Sequence, residues 1–92
     1  MKLKKAQSLA GEIINHLKPM CLEIKVVGSI ARSKPFPNDI DIALKPADLL
    51  NFIEETKGMC DQQSLFPAII MKYKGAVVDF FSSDGKDIDN QV

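Results

Sequence analysis

Gly28 and Ser29 stand a short step ahead of two aspartates, Asp39 and Asp41, separated by a single isoleucine. A tight Gly-Ser turn offers backbone amides and a hydroxyl to phosphate oxygens, and the glycine lets a ligand come close to the backbone. In an extended segment residues i and i+2 point the same way, so Asp39 and Asp41 share one face. Two carboxylates side by side repel each other unless a cation sits between them. A third acid, Asp79, lies in the run Ala76-Val77-Val78-Asp79-Phe80-Phe81. A carboxylate without a partner is costly in so apolar a setting. A phosphate cradle with three convergent acids is what metal-assisted phosphoryl chemistry requires. Arg32, one turn beyond the Gly-Ser pair, can bring its guanidinium fork to the same phosphates or stand as a solvated surface arginine.

These residues need a scaffold, and the apolar pattern supplies one. Leu3, Ala6, Leu9, Ile13 and Leu17 recur at helical steps, which predicts an amphipathic helix ending before Pro19. Leu22 to Val27 alternates as a half-buried strand and is stopped by Gly28. Ile30 to Ser33 is expected to form one helical turn, and residues 34–38, with two prolines, a loop. From Asp39 to Leu44 acid and aliphatic residues alternate, with Ile40, Ile42 and Leu44 inward and the aspartates outward. Pro46-Ala47-Asp48 reads as a helix start, with Leu49, Leu50, Phe52 and Ile53 as the apolar face and Gly58 as the C-terminal cap. After a polar break, Ala68–Tyr73 and Ala76–Phe81 read as strands turned by Lys74-Gly75. On that pattern Val77, Asp79 and Phe81 share a face, which must meet Asp39 and Asp41 if the three acids serve one site. The result is an α+β fold: a mixed β-sheet with helices packed on one face, and a polar, loose tail from about residue 82.

A chain of 92 residues is read as one domain (1–92), and its balanced charge of zero offers no global basic field for nucleic acid. Cys21 and Cys60 form no CxxC pair and are expected to be free, buried thiols. No apolar run reaches membrane-spanning length, and the lysine-rich start lacks a signal-type apolar core, so the expected setting is cytoplasmic, away from the membrane. Other polar residues carry less. His16 is explained by the helix dipole, and Lys2, Lys4 and Lys5 by a solvated helix start that could also touch nucleic acid. Lys72 and Lys74 read as edge charges, and Asp84, Asp87 and Asp89 belong to the tail.

With these residues in place, the chain resembles the DNA polymerase beta-like nucleotidyltransferase superfamily. The matching pieces are VVGSIAR, the spacer SKPFPN, DIDIAL and AVVDFF, spread over Leu22 to Phe81. The resemblance implies a palm-like nucleotidyltransferase fold. It implies that Gly28 and Ser29 hold a nucleoside triphosphate with help from Arg32. It also implies that Asp39, Asp41 and Asp79 bind a pair of Mg2+ ions, which Mn2+ could replace, and that Asp79 activates the attacking hydroxyl. The acceptor is open: a nucleic-acid 3′ end, a protein side chain or a small molecule. Ala31 stands where polymerase-type members often carry a second arginine, which makes the form more like the minimal nucleotidyltransferases of prokaryotes. Those commonly work with a helical protein partner, in some cases as the antitoxin of a toxin-antitoxin pair. The alternative reading is therefore a non-catalytic module that docks a helical protein, or a homodimer.

Overall fold

The computed structural model describes residues 2–65 and 69–82. Helix α1 runs Leu3–Leu17 and buries Ala6, Leu9, Ala10, Ile13 and Leu17. No side chain caps its start; instead the Leu3 amide donates to the Pro35 carbonyl at 3.0 Å, tying the helix to the loop at 34–38. Pro19 cannot continue the helix, and a 3-10 turn over Lys18–Met20 leads into β1, Cys21–Val27. A single helical turn, α2 (Gly28–Ala31), is followed by β2 (Ile40–Pro46), α3 (Leu49–Met59), β3 (Gln62–Ser64), β4 (Ile70–Tyr73) and β5 (Ala76–Ser82).

The five strands form one mixed sheet in the order β1-β2-β5-β4-β3, in which β2 and β5 run parallel and the other neighbours are antiparallel. Alternation divides its two faces. Ile40, Ile42, Leu44, Met71, Val78 and Phe80 turn to one side and form a single core with the apolar residues of α1 and α3. Phe52 of α3 meets Phe80 edge-on at 5.2 Å between ring centres, a favoured aromatic geometry. Val27, Ala43 and Phe81 form a separate, small cluster on the other side. The α+β architecture, with helices packed on one face of a mixed sheet, is thus as expected.

Local differences have local causes. β3 occupies the stretch expected to be a break; it is short, polar and at the sheet edge, where neither alternation nor apolar content marks a strand. Asp48 caps α3 by accepting the Leu50 and Asn51 amides, so Leu49 and Leu50 fall in the first turn and face water, 52% and 74% exposed. The buried stripe is Phe52 and Thr56 instead. Thr56 can be interior because its hydroxyl donates to the carbonyls of Phe52 and Ile53 and accepts from Gln63 Nε2 at 2.6 Å. Gly58 lies inside α3, and Cys60 closes it through a bond from its amide to the Thr56 carbonyl.

The Lys74-Gly75 turn is as expected, with φ of 49° and 84°, the left-handed pair that matches hairpin twist. Lys74 is more than an edge charge. Its Nζ lies 2.6 Å from Glu12 Oε1, to which Tyr73 also donates at 2.9 Å, pinning the hairpin tip to α1. His16 likewise reaches across to Glu55 on α3, at 3.3 Å. Cys21 and Cys60 are free but half-buried rather than fully enclosed. Ala68 and the tail beyond residue 82 lie outside the described residues.

Candidate active site

The central pair of strands brings the acids together. β2 and β5 are in register with Asp41 opposite Asp79 and Ala43 opposite Phe81. Paired residues on adjacent strands point to the same face about 5 Å apart. Asp39 precedes β2 by one residue, two before Asp41. Since Ile40, Ile42, Val78 and Phe80 are committed to the helical side, all three aspartates belong to the face that the helices leave open. Across the sheet Asp41 is opposite Val27 of β1, and Asp79 is opposite Ile70 of β4. The two carboxylates thus share a row with apolar neighbours at both ends.

That row sets their electrostatics. Burial, then the charges of Asp79 and Asp39, push the Asp41 carboxyl up to about 6; a hydrogen bond with Asp79 adds to this, and the nearby Arg32 charge offsets part. Asp79 is also raised, by burial first and the Asp39 charge second, while the hydrogen bond with Asp41 acts the other way. Two carboxyls this close do not ionise as readily as isolated ones, and both hold their protons to higher pH than usual.

The consequence for stability follows from linkage. The folded chain holds the Asp41 proton more tightly than the unfolded one, so Asp41's contribution is complete below about pH 4 and is lost as pH rises through about 6. Melting temperature is expected to fall over that interval. Asp41→Asn should flatten the fall and stabilise the protein at pH 7 by about 1–2 kcal/mol, the range left after solvent screening of a half-exposed group. Thermal melts from pH 4 to 7 check this; an asparagine variant that melts below wild type at pH 7 would contradict it.

Gly28 meets the acids directly. It has φ of +72°, so the chain turns at Gly28 itself and α2 starts there, two residues earlier than the periodicity implied; the Gly28 carbonyl already accepts from the Arg32 amide. A Cβ at this position would run into Asp41 Oδ2, with the Asp41 Cβ and Cγ at 3.1 Å. The missing side chain is therefore what lets the turn close against Asp41. Ser29 is half-buried in the same turn, and Arg32, exposed at its end, acts electrostatically on Asp41. Of the six residues singled out from sequence, Asp39, Asp79, Gly28 and Arg32 all bear on Asp41, and Ser29 follows Gly28 in the same turn.

As they stand, the carboxylates are not a ready-made cage: among the described residues no group of three or more His, Cys, Asp or Glu is arranged to hold a metal ion. The donor chemistry nevertheless fits Mg2+, a hard cation that takes carboxylate oxygens and keeps part of its water shell. A cation among the carboxylates would also offset the mutual repulsion that raises Asp41 and Asp79. Beside Asp79 the same face carries a shallow groove lined by Gln62, Ser64, Ile70, Lys72 and Val77. The edge strand that supplies its polar rim was not readable from the sequence. No helix among the described residues is long and apolar enough to cross a membrane. Comparison with protein-family models and with curated proteins finds no match for the chain.

Proposed function

We propose that the chain is a magnesium-dependent nucleotidyltransferase with a palm-like fold, moving a nucleoside monophosphate from a nucleoside triphosphate to an acceptor hydroxyl. The observation that carries this is the facing of Asp41 and Asp79 on parallel strands, with Asp39 two residues upstream and Gly28 packed on Asp41. Three carboxylates on an open sheet face have no structural purpose there; each raises the cost of the others.

Each residue has a task in that reaction. Ser29 offers its hydroxyl, and Arg32 its fork of donors, to the non-reacting phosphate oxygens. Asp79 takes the acceptor's proton as the acceptor oxygen bonds to the α-phosphorus, and the bond from that phosphorus to the departing pyrophosphate breaks with its electron pair. Asp39 and Asp41, with Asp79, would hold Mg2+. When bound, Mg2+ supplies the charge that neutralises the triphosphate and stabilises the leaving group. Positioning by the rigid β2–β5 pair supplies much of the remainder. Two unbridged cysteines suit a reducing, cytoplasmic setting.

The test follows α-phosphate label from magnesium nucleotides to gapped DNA, to the protein itself and to a cell lysate. Transfer accompanied by equimolar pyrophosphate is the expected result, and the labelled species identifies the acceptor. Absence of both label transfer and nucleotide binding would sink the reading. A second reading, a module docking a helical protein, draws on the exposed Leu49 and Leu50 at the start of α3. Such docking would persist in Asp79→Asn, whereas transfer would not.

A further inference from the structure

Phe36 lies in the loop between the Gly-Ser turn and Asp39, and its side chain is 69% exposed. The loop that presents it is held by two backbone hydrogen bonds and a buried proline. The Lys34 amide donates to the Ser29 carbonyl at 3.0 Å, and the Pro35 carbonyl accepts from the Leu3 amide at 3.0 Å. Pro37 is fully buried, and Ser33 takes the left-handed conformation, with φ of 57°. Prolines on both sides fix their own φ and restrict the residue between them to extended conformations. The chain thus buries the small ring of Pro37 and holds the larger ring of Phe36 out in water. Chain length places Phe36 within about 11 Å of Asp39, and the Lys34–Ser29 bond ties the start of its loop to the Gly-Ser turn.

We propose that Phe36 is the stacking platform for the base of the bound nucleoside triphosphate. The inference rests on the nucleotidyl-transfer reading and adds the part of the substrate that the acids and the Gly-Ser turn do not touch. A phosphate chain held by Ser29, Arg32 and the aspartates directs its sugar and base outward from the open face. An aromatic ring three residues from Asp39, on a loop held by two backbone bonds, is within chain reach of that space. Phenylalanine has no hydrogen-bonding group, so the platform reads the π face and not the base edge. Purine nucleotides, with the larger face, are expected to bind more tightly than pyrimidine nucleotides, without selection between adenine and guanine. Stacking of a base on one aromatic side chain corresponds to about 10- to 100-fold in affinity.

The chain contains no tryptophan, so Phe36→Trp installs a single fluorescent reporter at the proposed contact. Magnesium ATP should quench it saturably, whereas magnesium tripolyphosphate, which carries the phosphates without the base, should not. In calorimetry Phe36→Ala should weaken magnesium ATP by about 10- to 100-fold and leave tripolyphosphate affinity unchanged. Its melting temperature should match wild type, because the ring is exposed. Equal ATP affinity in wild type and Phe36→Ala would overturn the platform while leaving the transfer reading in place. Failure of wild type to bind either ATP or tripolyphosphate would overturn both.

Discussion

Asp79→Asn should lower nucleotidyl transfer by about 10²- to 10⁴-fold, the scale on which removal of a positioned proton acceptor is felt. The same substitution should leave the fold intact and slightly more stable in the absence of metal. Asp79 is raised by burial and by the Asp39 charge, and it helps to raise Asp41 in turn. A neutral isostere ends that repulsion, and the Asp41 carboxyl should move back toward its ordinary range. Loss of activity with a gain in melting temperature is the signature of a site in which charge was placed for chemistry. A variant that unfolds, or that transfers as well as wild type, would contradict the role given to Asp79.

Gly28→Ala should be the most damaging single change to the fold among the site residues. A side chain at φ of +72° is strained in itself, by about 1–2 kcal/mol. The new methyl group would also be driven into the Asp41 carboxylate, and forced overpacking adds about 1–3 kcal/mol. A combined loss of about 2–5 kcal/mol is a large share of what a domain of this size has. Asp41 must shift to make room, so activity should fall further than the folded fraction does. Gly75 is the control: it has φ of +84°, but a Cβ added there would meet nothing within 4 Å. Gly75→Ala should therefore lose only the dihedral cost, about 1–2 kcal/mol. Denaturant titration of both variants separates the dihedral cost from the collision, and equal losses at the two positions would remove Asp41 from the explanation.

Much of this arrangement could be read in the chain. The three- and four-residue spacing from Leu3 to Leu17 defines α1, and the alternation around Asp39 and Asp41 assigns those acids to the face opposite Ile40 and Ile42. The same rule put Asp79 with Val77 and Phe81. What local pattern cannot give is the pairing of distant segments. That β5 lies beside β2, with Asp79 opposite Asp41, is decided by how the whole sheet assembles. Thr56 was hidden for a related reason: its burial depends on Gln63, seven residues away on an edge strand that the sequence does not announce. Leu49 and Leu50 misled because an apolar residue type says nothing about where in the first turn Asp48 sets the cap. Gly28 was legible as a turn, but its contact with Asp41 required the strand register.

Direct binding of Mn2+, followed by electron paramagnetic resonance in the presence of a non-hydrolysable nucleoside triphosphate, tests the central claim that the three aspartates form one cation site. Wild type should take up Mn2+ in competition with Mg2+. Asp41→Asn and Asp79→Asn should each lose most of that binding while remaining folded. Equal Mn2+ binding by wild type and both folded variants would place the cation elsewhere, and the three aspartates would not be its site.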